Sequence, residues 1–241
     1  MAIAFDSSSV SGSFAAGSTL TIAHTIVGTA TVGLAFMTIN SGSDVVTSVT
    51  WNGVTMTRAK WQLDNASAFG QFVYWVANPA TGNVVWNLSD SGSDRAGGNT
   101  AYTGASSSAL DATAGQNSGG SASTSYTNTL TTVANNSWHV ASLRQTVGGG
   151  MTAGTNTSTR LDGIGGGTYN VVEDTDGAVT PAGSNVLTAT GSSTNTWFSA
   201  GVSIAPASTT AIKTVDGLAK ASVKTYKGLA IASVKTFNGL A

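Results

Sequence analysis

Turn-forming residues break this chain so often that no helix of ordinary length fits between them. Short apolar or alternating runs recur, each closed by Gly, Asn, Asp, Ser or Pro. Strand-like runs at about 8–12-residue spacing without helical periods are the pattern of a β-sandwich or barrel. STLTIAHTI (18–26) alternates Leu20 and Ile22 with polar neighbours, and ATVGLAFMTI (30–39) is a continuous apolar run, read as a buried strand. VTSVTWNGVTMTRAKWQL (46–63) places Asn52-Gly53 between two strand-like segments. That dipeptide is the strongest short-range hairpin signal, because both residues accept the positive φ of a type I′ turn.

Further along, GQFVYWVANPATGNVVWNLS (70–89) turns Phe72, Tyr74 and Val76 one way and Val73 and Trp75 the other. Asn78-Pro79 ends that strand and Thr81-Gly82 completes the turn. A strand around Tyr102 and five more, at 125–133, 137–145, 170–175, 185–190 and 195–206, bring the total to about a dozen. Residues 104–125 and 147–168 read as long Gly- and Ser-rich loops. The expectation is an all-β chain: a β-sandwich, jelly-roll or concanavalin-like, over 1–206, then a short β-repeat segment over 211–241.

Composition agrees. Only 9% of residues are charged, against about 25% in an ordinary soluble domain. Uncharged Ser, Thr, Asn and 30 Gly replace them, which suits strands with wet faces and many turns. With no Cys there are no disulfides or thiolate metal sites. The N-terminal stretch lacks the basic and apolar regions of a signal peptide, and no apolar run reaches about 18 residues, so neither export nor membrane insertion is expected. A surface of extracellular type without an export address suits a virion component released by lysis, and equally a cytoplasmic protein of unusual composition.

Charge is unevenly placed. Residues 1–210 hold five basic and ten acidic groups, and 211–241 hold Lys213, Lys220, Lys224, Lys227 and Lys235 against Asp216. An acidic body opposes tracking of nucleic-acid phosphates.

The last thirty residues repeat one phrase. Ile212, Val223 and Val234 each precede Lys-Thr at a step of eleven, and Gly217, Gly228 and Gly239 keep the same step. Eleven-residue periods also occur in supercoiled helices, but a Gly in every repeat and the Val, Ile, Thr and aromatic residues between favour strands. Asp216-Gly217, Lys227-Gly228 and Asn238-Gly239 are the expected turns of a meander or solenoid, with Leu229 to Phe237 spanning about 30 Å when extended. A ribbon this short with two semi-apolar faces is marginal alone. Ile212, Leu218, Val223, Tyr226, Leu229, Ile231, Val234 and Phe237 are therefore the candidate assembly residues, and 211–241 an anchor.

The order STLTIAHT, VTSVTWNGVTMTRA, FVYWVANPATGNVVWNLS, AYTGA and WFSAGVSIAPA resembles a sandwich domain of phage and environmental surface proteins. The tail resembles the Lys/Asn-Gly repeats that end many tailed-phage virion proteins. The resemblance implies a structural virion protein, a capsid decoration or tail-associated subunit, without catalytic residues. Its expected partners are other virion proteins and copies of itself, with a trimer favoured.

Little in the chain points to chemistry. His24 and His139 sit on separate strands and read as structural; no zinc-binding spacing, nucleophile elbow or phosphate loop occurs. No cofactor is expected. Glu173, the only Glu, lies with Asp174 and Asp176 in EDTDG (173–177), read foremost as a solvated turn and next as a Ca²⁺ site, since alternate carboxylates supply hard oxygen ligands. Trp75 and Trp86 read as core. Trp51 and Trp61, near turns, are the candidates for stacking on host glycans, which makes a glycan-binding module or adhesin the second reading.

Overall fold

The computed structural model describes residues 2–12, 14–165 and 170–208, and the backbone of four two-residue strands beyond them. Two compact units result, Met1–Ala207 and Ser208–Ala241. Among the described residues of the first unit, every regular element is a strand. In its first half these are β1 (Ala4–Val10), β2 (Thr19–His24), β3 (Val32–Ile39), β4 (Val46–Trp51), β5 (Val54–Thr55), β6 (Thr57–Leu63), β7 (Gly70–Ala77), β8 (Gly82–Leu88) and β9 (Arg95–Thr103). The second half holds β10 (Ala112–Asn117), β11 (Ser123–Thr131), β12 (Trp138–Gln145), β13 (Met151–Ala153), β14 (Ser158–Leu161), β15 (Asn170–Asp174), β16 (Ser184–Asn195) and β17 (Trp197–Ile204).

All pairings are antiparallel, in sheets ordered β1-β9-β3-β7-β6, β2-β8-β4-β5, β10-β17-β12-β15-β14 and β11-β16-β13. The expected all-β sandwich is found, in doubled form. Each half is a sandwich of a five-stranded and a smaller sheet, and the two five-stranded sheets face each other at the centre. Three cores follow from this order. Ala35, Met37 and Phe72 meet Val49, Trp51 and Trp86 inside the first sandwich. Val32, Leu34, Phe36 and Tyr102 meet Trp138, Val140, Val172 and Val202 between the sandwiches. Tyr126, Leu143, Val171 and Leu187 fill the second sandwich. Alternate residues of β3 thus enter different cores, which is why all eight are buried and why its sequence is continuously apolar.

The halves are built to one plan. Replacing β1, β9, β3, β7 and β6 by β10, β17, β12, β15 and β14 converts one five-stranded sheet into the other, and β2, β8 and β4 map onto β11, β16 and β13 in the same chain order. Finer detail repeats too. A register shift between Arg58 and Lys60 on β6, opposite Tyr74 and Val73, recurs between Thr159 and Leu161 on β14, opposite Glu173 and Val172. Pro79-Ala80 leads into β8 through Asn83-Val84, and Pro181-Ala182 into β16 through Asn185-Val186, 102 positions later. Asp6 Oδ1 and Oδ2 accept the amides of Gly28 and Val27, and Asp111 Oδ1 and Oδ2 those of Ala134 and Val133, clamping equivalent loops. β3 and β12 run the same way: Tyr102, paired with Val32, packs on Trp138 at one end, and Arg144 reaches Thr38 and Asn40 at the other. The arrangement is that of two sandwiches related by a pseudo-two-fold axis along the strands.

Some strands fall where loops were expected. β10 lies inside the small-residue stretch 104–125, paired with β17 from Ala112 to Asn117, and β13 and β14 lie inside 147–168. At Gly115 of β10 a Cβ would lie against the Lys60 and Gln62 side chains of the opposing sheet.

Beyond the body, Thr214–Val215 pairs with Leu218–Ala219 and Thr225–Tyr226 with Leu229–Ala230. Both hairpins bracket the expected dipeptides Asp216-Gly217 and Lys227-Gly228. Most of the nine-residue stretch Leu229 to Phe237 lies outside the described residues. Ile212, Val223, Ile231, Val234 and Phe237 lie outside the described residues.

Candidate functional site

Glu173, Asp174 and Asp176 do not converge. Strand alternation sends Glu173 into the second sandwich and Asp174 towards Tyr102 at the interface between halves, and all five residues of β15 are buried, so the solvated turn begins only after it. Arg160 Nε lies 2.7 Å from Asp174 and its Nη2 2.6 Å from Asp176. A guanidinium therefore holds the place a cation would take. Burial pushes Asp174 up, partly offset by Arg160, while hydrogen bonds from Ser158 and Arg160 hold Asp176 low. Among the described residues no three His, Cys, Asp or Glu side chains form a metal-binding group. The Ca²⁺ expectation at Glu173, Asp174 and Asp176 is accordingly corrected.

The tryptophans are committed inward. Trp51 is 1% exposed, donates Nε1–H to the Ala80 carbonyl at 2.8 Å, and meets His24 edge to face at 4.8 Å. It has no face to offer a sugar, and the glycan assignment at Trp51 is corrected. Trp61 is half-buried and stacks parallel on Phe72 at 5.8 Å, so one of its faces is occupied. Trp86 is fully buried, as expected, and Trp75 packs half-buried against the central core.

Both histidines anchor polar networks inside the sandwiches. Ser7 donates to Asp6 Oδ2 at 2.7 Å, so its oxygen receives Nε2–H of His24 at 3.0 Å, and Nδ1 then accepts from Ser9 at 2.8 Å. This chain joins the edge strands β1 and β2, which share no ladder. Its imidazole is 2% exposed and its pKa is lowered by burial, which fits a clasp better than a base. The equivalent edge of the second half is closed by Gln116, whose amide pairs with both backbone groups of Thr129. His139 lies between Asn128 and Asn185 at 2.8 and 2.9 Å, and burial lowers its pKa to about 4.

One buried group has no such support. Glu173 is 0% exposed, and neither carboxyl oxygen meets a hydrogen-bond partner. Burial raises its pKa to about 7. Sequence reading missed it because the surrounding EDTDG looks wet; only the strand's position in the second sandwich makes it dry.

Each of the two clamped loops carries an exposed valine. Val27 is 80% and Val133 74% exposed, each on the amide held by its Asp. Nearby, Ile3, Trp138, Ala178 and Pro206 line an open depression where the backbone is pinned by Ala207 N–H to Gly104 O. These exposed loops and this depression are the candidate functional region. No family model, curated protein or solved structure matches the chain.

Proposed function

We propose that this chain is a structural subunit of the tailed-phage virion kind its sequence resembles, acting by assembly and surface display and not by turnover. The observation that carries the reading is the tail: two hairpins with the same pairing, eleven residues apart, follow a separately folded body. Repeated short ribbons cannot bury their faces alone and call for neighbouring copies or another virion protein. The doubled sandwich suits the displayed part, because its buried polar side chains are mostly spent on internal networks. The glycan-binding alternative is not favoured, since Trp51 is enclosed and Trp61 is stacked.

Removal of 211–241 tests the reading. The full chain is expected to sediment as a homo-oligomer, a trimer in the simplest case, and the truncated chain as a folded monomer that no longer enters particles. Unchanged mass together with unchanged incorporation sinks it.

A further inference from the structure

The fold places Glu173 where its counterpart in the first half is neutral and held. In β6 and β7, Arg58 lies opposite Tyr74 and donates Nε–H to its hydroxyl at 2.9 Å. In β14 and β15, after the same register shift, Thr159 lies opposite Glu173 and brings no cation. Thus the second sandwich has a carboxyl in the slot where the first has a phenol, and lacks the arginine.

What covers Glu173 is thin. Residues 151–157 carry the chain from β13, an edge strand of the three-stranded sheet, to β14, an edge strand of the facing five-stranded sheet. Thr157 and Gly154 are the polar groups that partly offset the burial of the carboxyl, but both are already committed. Thr157 donates to the Gly154 carbonyl at 2.9 Å, and the Gly154 amide donates to Thr188 O at 2.7 Å. Of β13 only Met151 is buried, and Thr152, Thr155 and Asn156 are exposed. Few buried apolar contacts make a segment that opens at low cost. Its far end is fixed, since Arg160 is paired with Asp174 and Asp176.

We propose that residues 151–157 are a proton-gated strap: with Glu173 protonated the strap closes the second sandwich, and ionisation of Glu173 opens it. An ionised carboxylate without a partner must draw in water, and the weakest wall yields first. Charges around the site do not relieve it. On β15 the neighbour is Asp174, itself acidic and turned to the other face; on β12 the ionisable residue turned into the same sandwich is His139, held between Asn128 and Asn185. On β14 Arg160 is turned away to Asp174, and β11, β13, β16 and 154–157 carry no ionisable side chain apart from Tyr126. Opening frees the edge of β16 from Thr188 to Gly191. The strap is independent of the assembly reading.

Hydrogen exchange on the full chain at pH 5.5 and 8.5, corrected for intrinsic rates, decides it. Protection over 151–157 is expected to fall at least tenfold at the higher pH, with no change over 50–56, the corresponding stretch before Arg58. Glu173→Gln is expected to keep protection equal at both pH values. Should that variant not fold, Thr159→Arg, which supplies the missing cation, is expected to do the same. Equal protection of the wild-type strap at both pH values, or the same loss in the folded variant, overturns the proposal.

Discussion

Tyr74 and Glu173 occupy equivalent positions in two sandwiches of one plan, and only Tyr74 has its polar head held, by Arg58 at 2.9 Å. The ladder partner of Glu173 is Thr159. Thr159→Arg should therefore stabilise the protein in a pH-dependent way. At pH 8 a hydrogen-bonded guanidinium on a buried carboxylate is worth roughly 1–3 kcal/mol. At pH 5, with Glu173 neutral, the gain should vanish. Urea unfolding at the two pH values measures it, and equal effects at both count against an ionised Glu173.

Two buried groups give the stability profile opposite slopes. Glu173, with a native pKa of about 7, keeps its proton while the unfolded chain loses it, so its contribution falls as pH rises from about 4.5 to 7. His139, with a native pKa of about 4, stays neutral while the unfolded chain takes a proton, so its contribution falls as pH drops from about 6.5 to 4. Each shift corresponds to roughly 3 kcal/mol, of opposite sign over overlapping windows. Burial of Asp174 adds to the first slope and burial of His24 to the second. Wild-type stability should be nearly flat between pH 4.5 and 6.5, and Glu173→Gln should expose the histidine slope, losing stability on acidification. Denaturant midpoints across that range check the sign.

The clamped loops make a paired prediction. Asp6 accepts three hydrogen bonds, from Ser7, Val27 and Gly28, and Asp111 four, from Val133, Ala134, Ser137 and Ser203. Asp111→Ala should cost about 2–3 kcal/mol and Asp6→Ala about 1–2, the exposed amides being free to turn to water. The two share no partner, so their effects should add within about 0.5 kcal/mol. Strong coupling in a double-mutant cycle contradicts independent clamps.

How much of this was legible varied with what local pattern can carry. Asn52-Gly53 announced its hairpin, and both residues have positive φ, 46° and 80°, with Trp51 paired to Val54. β3 announced itself as buried through an unbroken apolar run. β10 did not, since ATAGQN lacks the β-branched residues that mark strands and is held by its place beside β17 and under β6. Duplication was hidden for a similar reason. The halves share topology, a register shift, two clamps and a Pro-Ala turn, but the core residues that meet across sheets differ, as with Tyr74 and Glu173. Trp51 looked exposed because it borders a turn, yet its indole packs over Gly33, where a Cβ would lie 2.8 Å from it. Partners across sheets, not neighbours along the chain, decide burial.

Arg144 supplies the sharpest test of the central interface. It is 4% exposed, with its guanidinium 5.4, 4.5 and 5.5 Å from the ring centres of Phe14, Phe69 and Phe198, and it donates to Thr38 and Asn40 across the gap between sandwiches. Burial lowers its pKa to about 10, so it remains charged at neutral pH and bears a desolvation cost. Three aromatic faces repay about 0.5–2 kcal/mol each. Arg144→Met keeps much of the packing and removes both the cost and the cation–π attraction, so it should lie within about 1 kcal/mol of wild type. Arg144→Lys keeps a charge that is harder to desolvate and cannot lie flat between the rings, and should cost about 2–3 kcal/mol. Arg144→Ala leaves a cavity and should cost about 3–5 kcal/mol. Guanidinium unfolding of the three variants gives the order; if Lys proves better tolerated than Met, charge and not shape holds the two sandwiches at this point.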